Sequence, residues 1–434
     1  MYFTVISVAV KRIMSRLLRG RVANLIYNKI TLFSNQRHLK HALSEKGGKK
    51  KLRCVFFALF EDIWKYDGVY RIMEESDRFE PIILVCPIVN YGKENMLERM
   101  KKCYSYFLNK GYNVILSYYE QTDRYIDVNK DLSPDVILYT NPYKGLIDDR
   151  YYISNFKDVL TVYVPYVFSC VSGYDWTYNE PLHNWVWRHY LGTNLHKQLG
   201  CKYSQCKGRN IVVTGYPGIE EFLSQQLANE ERVQNKKKTI IWAPHHTISK
   251  TLTIEMSCFD RYCDFMVDLA RRYSDKVEFV FKPHPLLKNK LYKEGWGKQR
   301  TDEYYHLWEK MENTSINEGD YVELFKNSDA LIHDCVSFTV EYLYENKPVL
   351  RTLNGVSLDS MFDEFGMSCI SNHYLANNEQ EIEKFVQNVI NGIDPLKEKR
   401  SKFINDVLIP KGSPSQNIVD DILDSIDNQI LYRN

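Results

Sequence analysis

Three short stretches carry the residues best suited to chemistry. His245 and His246 follow the apolar run Ile240–Ala243, Lys282-Pro283-His284-Pro285 follows Glu278–Phe281, and His333, Asp334 and Ser337 follow Ala330–Ile332. Each run has the length of a buried strand. Strands of one parallel sheet share a direction, so the three clusters fall on the same edge. In open α/β sheets that carboxyl edge is where ligands bind. The chemistry expected there is anion binding. An imidazole can donate a hydrogen bond to a bridging or leaving phosphate oxygen and, if protonated, can offset its charge. Two prolines fix the backbone around His284, so little freedom is lost on binding. His245, His246 and His284 are the candidate catalytic groups, with Lys282, His333, Asp334 and Ser337 as substrate contacts. The plainer reading of Asp334 or Ser337 is a helix cap.

The elements that must position these residues are strands alternating with helices. From Val336 onward the residues Val336, Val340, Leu343 and Tyr344 recur at helical spacing, until Lys347-Pro348 stops the helix and Val349-Leu350 resumes a strand. The same alternation runs through the chain. Strands are expected at Leu52–Leu59, Pro81–Cys86, Asn113–Ser117, Asp135–Thr140, Thr161–Val164 and Asn210–Val213, with helices such as Glu94–Asn109 and His183–Lys197 between. A second series comprises Thr239–Ala243, Val277–Phe281, Ala330–Ile332 and Pro348–Leu350. The fold class is therefore α/β, with two consecutive Rossmann-like domains and a cleft between them. The first spans 51–218 and the second 219–434. Helices at Glu379–Ile390, Leu396–Val407 and Gln416–Ile430 either finish the second domain or cross back to the first.

At 434 residues and 44% apolar content the chain can fill two domain cores, and a net charge of +2 gives no reason to expect nucleic acid as a partner. Ten cysteines without a CxxC pair read as reduced cytosolic thiols. No pair of acids at a strand end suggests a metal, and Asp148-Asp149 reads as a helix cap, so neither metal nor cofactor is expected.

The first 44 residues contain eight Lys or Arg and no Asp or Glu. Met1–Val10 is too short to span a bilayer, and its positive charges follow the apolar run, the wrong order for a secretory signal. Residues 1–50 are expected to be a basic amphipathic segment and linker lying on an anionic membrane surface. The alternative is a basic arm packed on the protein itself.

Taken in order, an Ala-Pro strand end, Phe281-Lys282-Pro283-His284-Pro285, Ser328-Asp329 before His333-Asp334-x-x-Ser337, Lys347-Pro348 and a late Gly412-x-x-Ser415-Gln416-Asn417-Ile418 resemble the CDP-glycerol glycerophosphotransferases. These are teichoic-acid primases and polymerases of GT-B fold. The resemblance runs from about Arg209 to Ile430, with Val213-Thr214-Gly215-Tyr216-Pro217 similar to the family's Thr-Gly-x-Pro segment. It implies that His284 contacts the donor diphosphate, that Asp334 and Ser337 match an Asp-x-Ser-Ser turn, and that Ser413, Ser415 and Gln416 correspond to a late Ser-Glu-Arg segment. Three departures stand out. Asp334-Cys335-Val336-Ser337 lacks one hydroxyl, Tyr163-Val164-Pro165-Tyr166 replaces a Trp-His-Gly-Thr segment, and Gln416-Asn417 replaces an acidic-basic pair.

The leading expectation is a cytoplasmic transferase at the inner face of the cell membrane, building a surface polysaccharide. It moves a CDP-activated alditol phosphate to a lipid-linked or polysaccharide hydroxyl and releases CMP, with His245 or His246 as the base. Backbone N–H groups after Asp334, with His284, hold the developing charge. Two other readings compete. One is a CMP-sugar-dependent GT-B glycosyltransferase, similar to the sialyltransferases. The other is a non-catalytic nucleotide-sugar-binding subunit. No feature of the sequence specifies an oligomer.

Overall fold

The computed structural model describes residues 21–224, 237–248, 256–319 and 321–433. Strands β1 (Leu52–Ala58), β2 (Phe79–Val85), β3 (Val114–Leu116), the hairpin β4 (Tyr118–Tyr119) and β5 (Arg124–Tyr125), β6 (Val136–Tyr139), β7 (Leu160–Tyr163), β8 (Arg188–Leu191) and β9 (Ile211–Val213) fill the first half. All but the hairpin form one parallel sheet, ordered β3-β2-β1-β6-β7-β8-β9. Both faces of β1 are covered, as its apolar run 54–58 requires. Cys54, Phe56 and Ala58 enter a core with Tyr70, Phe107 and Ile422, while Val55, Phe57 and Leu59 enter another with Tyr139, Tyr151 and Phe156.

The second half builds β10 (Lys238–Ala243), β11 (Val277–Phe281), β12 (Thr314–Ile316), β13 (Ala330–His333), β14 (Val349–Thr352) and β15 (Tyr374–Ala376). They pair in parallel in the order β12-β11-β10-β13-β14-β15. Renumbered along this half, that is the doubly wound order 3-2-1-4-5-6, whose direction reverses between β10 and β13. Trp242, Phe259, Phe281 and Trp308 pack on β10 and β11 with ring centroids 5.0–5.8 Å apart in adjacent pairs.

By compactness the chain divides into one unit of 1–166, 174–218 and 410–434 and another of 167–173 and 219–409. The expected assignment of 219–434 to one domain is therefore revised at its end, since helix Pro414–Asp427 lays Ile418, Val419, Ile422 and Ile426 into the first core. Arg188 fixes that return. Its guanidinium is fully buried, 2.9 Å from Asp421, and also bonds the Ser425 hydroxyl and the carbonyls of Ile430 and Leu431. The helix expected over His183–Lys197 is two helices, Pro181–Trp185 and Asn194–Tyr203, with β8 between them.

The N-terminal segment is also revised. Helix Arg21–Lys46 is continuous, and Leu39, Ala42 and Leu43 belong to the first core. Residues 1–20 lie outside the described residues. Removing residues 1–44 would expose the pocket of two buried leucines at about 1.5–3 kcal/mol each. Leu39, Ala42 and Leu43 are thus part of the first unit's core. Its outward face carries Phe33, 63% exposed, with Arg37 and Lys40 at helical spacing. Among the described residues no helix is long and apolar enough to cross a membrane.

Candidate active site

β10 and β11 deliver the histidines. Beyond the ladder, Lys282 N–H donates to the Trp242 carbonyl at 2.8 Å and His284 N–H to the Pro244 carbonyl at 3.1 Å. The two proline-bearing loops therefore run on together past the sheet edge. Their rings meet: the centroids of His245 and His246 are 4.3 Å apart, those of His246 and His284 4.2 Å, and those of His245 and His284 5.0 Å. One nitrogen from each lies within 4.8 Å of the others. All three are half-buried.

Their charge state follows from this packing. Burial, then the neighbouring imidazoles, pushes His245 and His284 down to about 3. His246 is lowered as well, by burial and then Lys290. At neutral pH the cluster is three uncharged rings. The charge-offsetting role open to a protonated His284 is replaced by neutral hydrogen bonding. The Nδ1 of His284 accepts from Leu286 N–H at 3.1 Å, and the Nδ1 of His245 lies 3.0 Å from the Thr247 hydroxyl. The Nδ1 of His246 is buried and has no hydrogen-bond partner among the described residues.

Asp334 holds this arrangement from below. Its carboxylate accepts the backbone N–H of His245 at 2.5 Å and that of Cys258 at 2.6 Å. The buried Arg351 guanidinium bonds the carbonyls of Asp334 and Cys335. Ser257 Oγ donates to the His245 carbonyl at 2.9 Å, so His245 is held at both ends of its peptide. Burial raises the Asp334 carboxyl to about 6.

Several expected substrate contacts take other roles. Asp334 is only 1% exposed and braces backbone, with both carboxylate oxygens occupied. His333 is equally buried, its Nε2 3.4 Å from His373 Nδ1, and burial pushes it well below the usual histidine range. It pairs in register with Ala243 and is a core histidine of β13. The Lys282 ammonium donates to Asn317 Oδ1 at 2.9 Å and the Gly319 carbonyl at 2.7 Å, fastening the loop after β12. Ser337 is half-buried before the four-residue helix Phe338–Glu341, and its hydroxyl does not cap it. Ser413 caps helix Pro414–Asp427 through Gln416 N–H, Ser415 is buried, and the Gln416 side chain bonds Asp420. These three belong to the first unit, whereas the histidines belong to the second.

Sequence reasoning missed Thr247, Ser257 and Arg351. Thr247 and Ser257 are small hydroxyl residues in loops. Arg351 sits inside a strand, where a charged side chain is expected to face solvent, yet it is buried. Tyr163, in the segment where the resemblance implied a departure from the family, packs against His183 and His189 at 5.5 and 5.0 Å. Both are buried, with burial pushing His183 down to about 4 and His189 well below the usual histidine range, so they are core residues of the first unit.

Two sheets in doubly wound order, with a histidine cluster at the reversal point of the second, define a GT-B-like α/β fold. Residues 191–354 match the family model described as CDP-Glycerol:Poly(glycerophosphate) glycerophosphotransferase, a family of transferases, which bears out the resemblance read from the sequence. All three histidines lie in that segment. Solved structures agree on the fold. The wall teichoic acid polymerase TagF superposes with a TM-score of 0.54 at 15% identity, covering 94% of this chain and 98% of its own. A TagF variant soaked with CDPG gives 0.53 at 16%, covering 94% and 97%. The UDP-GlcNAc 2-epimerase of Neisseria meningitidis, bound to UDP-GlcNAc, gives 0.53 at 14%, covering 86% and 100%. No curated protein sequence matches the chain.

Proposed function

We propose that this protein transfers a CDP-activated alditol phosphate, CDP-glycerol-like, to a hydroxyl of a membrane-linked surface-polysaccharide acceptor and releases CMP. The observation that carries this reading is the histidine cluster at the carboxyl edge of β10 and β11, inside the segment that matches the glycerophosphotransferase family. The acceptor oxygen attacks the β-phosphorus while the bond from that phosphorus to the bridging oxygen breaks, and CMP departs with the electron pair. The acceptor proton passes to a base, for which His246 is the choice because its ring is half-buried in the cluster and uncharged at neutral pH. His284 donates to the phosphate oxygens on which charge builds. Incubating the purified protein with CDP-glycerol, CDP-ribitol and CMP-sugars, and measuring CMP release with and without acceptor, tests this. Release from CMP-sugars alone would overturn it.

Uncharged N–H donors need no metal to meet a phosphate, so turnover is expected to be unchanged by EDTA. Loss of activity that magnesium restores would contradict this.

The outward face of helix Arg21–Lys46 supports residence at the inner, cytoplasmic face of the membrane. Each basic residue near an anionic surface adds about 1 kcal/mol. Arg37→Gln with Lys40→Gln is expected to weaken binding to anionic vesicles by about 2 kcal/mol, roughly thirtyfold, with the melting temperature unchanged. Co-sedimentation equal to that of the parent protein would place the contact elsewhere.

A further inference from the structure

Three histidine nitrogens within 4.8 Å have the spacing of a metal site, yet the hydrogen bonds behind the rings define a different device. A threonine hydroxyl has two lone pairs and one proton. The Thr247 oxygen accepts the backbone N–H of Met256 at 3.0 Å and of Ser257 at 3.1 Å, which uses both lone pairs. Its one proton is left for the remaining neighbour, His245 Nδ1, at 3.0 Å. That nitrogen is therefore an acceptor, and the ring proton of neutral His245 sits on Nε2. The same reasoning holds for His284, whose Nδ1 accepts from Leu286 N–H at 3.1 Å, a donor that cannot reverse its role. Neither ring has an Nε2 lone pair to offer a cation.

We infer that Thr247 and the Leu286 amide lock His245 and His284 in the Nε2–H tautomer, making the cluster an uncharged two-donor site for a nucleoside diphosphate rather than a metal centre. This rests on reading the donor as an activated diphosphate and adds to it the residue that sets the site's polarity. Thr247 is a positioning residue: it touches no substrate and acts through His245. Burial keeps both rings neutral, so the donors persist across the physiological range. An uncharged donor pair has a functional advantage. It stabilises phosphate charge in proportion to how closely the oxygens approach, and it holds the product CMP less strongly than a fixed cation would.

Nitrogen-15 NMR of histidine-labelled full-length protein reads the tautomers directly, with His245→Gln and His284→Gln variants assigning the signals. The expected spectrum at pH 7 shows a pyridine-type Nδ1 and a pyrrole-type Nε2 for both residues, unmoved by one equivalent of Zn²⁺. A pyrrole-type Nδ1 on either residue, or stoichiometric zinc shifting all three histidines, overturns the inference. Thr247→Val is expected to average the His245 tautomers and lower CDP affinity about two- to threefold, the depletion of the competent tautomer, and Thr247→Ser to recover most of that loss. Thr247→Val with His245 signals and CDP affinity both unchanged also overturns it. If Thr247→Val fails to fold, the parent spectrum still decides. The spectrum is independent of turnover: correct tautomers without transfer from any CDP-alditol would sink the proposed function alone, and reversed tautomers beside normal transfer would sink this inference alone.

Discussion

His284→Ala is expected to lower kcat by about 10²–10³, with a much smaller change in KM. A donor aimed at charge that develops only in the transition state contributes most there, and removing one from a dry site costs roughly 2.7–4 kcal/mol. His284 is suited to that role. Its loop is fastened to the Pro244 carbonyl, its ring is uncharged, and its Nδ1 is tied to Leu286, which leaves Nε2–H as the free donor. His284→Gln places an amide donor near the same position and should recover part of the loss. A histidine that merely braced the turn between Pro283 and Pro285 would behave otherwise, lowering the melting temperature while leaving single-turnover rates near normal at low temperature. Both quantities measured on one preparation separate the cases. An unchanged rate beside a lowered melting temperature would remove His284 from the mechanism.

Much of this was legible in the sequence, for identifiable reasons. The central parts of strands β1, β10, β11 and β13 are buried on both faces and so read as apolar runs, 54–58, 240–243, 279–281 and 330–332, bounded by polar residues. Their shared direction puts His245, His246 and His284 on one edge. What failed was polarity inside the core. β8 reads Arg-His-Tyr-Leu and all four residues are buried, with the arginine neutralised by Asp421 from a helix more than 230 residues away. A local pattern cannot anticipate that partner, so the stretch resembled a helix. The edge strands β12 and β15 are three residues each, too short to show a period. At the site the same limit applies. His333, Asp334 and Lys282 have the residue types of phosphate ligands, yet their partners are His373, the amides of His245 and Cys258, and Asn317. All of those lie at least 35 residues away, and burial turns each group from a contact into a brace.

Asp334→Asn is expected to cut turnover by about a hundredfold, the size of loss that follows a reacting group displaced by about 1 Å. An amide can accept from only one of the two backbone donors that the carboxylate holds, His245 N–H and Cys258 N–H, and turns an N–H toward the other. His245 then loses the anchor on its peptide. The pH dependence separates this from simple damage, because stability and activity move in opposite directions. The buried carboxyl has a folded-state pKa of about 6, above its ordinary 3.8. Between those values the folded state binds more protons than the unfolded one. The group's contribution to stability therefore falls as pH rises from about 4 to about 6, by roughly 3 kcal/mol at most. Asparagine lacks this dependence. The melting temperature of the parent protein relative to the variant should be highest near pH 4 and should decline toward pH 7. Turnover of the parent protein should instead rise across the same interval, as the ionised carboxylate gains its second acceptor and pins His245. If Asp334→Asn keeps that rising limb, the ionisation belongs to His246, whose pKa is also lowered. Parallel melting curves for the two proteins would mean that Asp334 does not carry the charge that holds the site together.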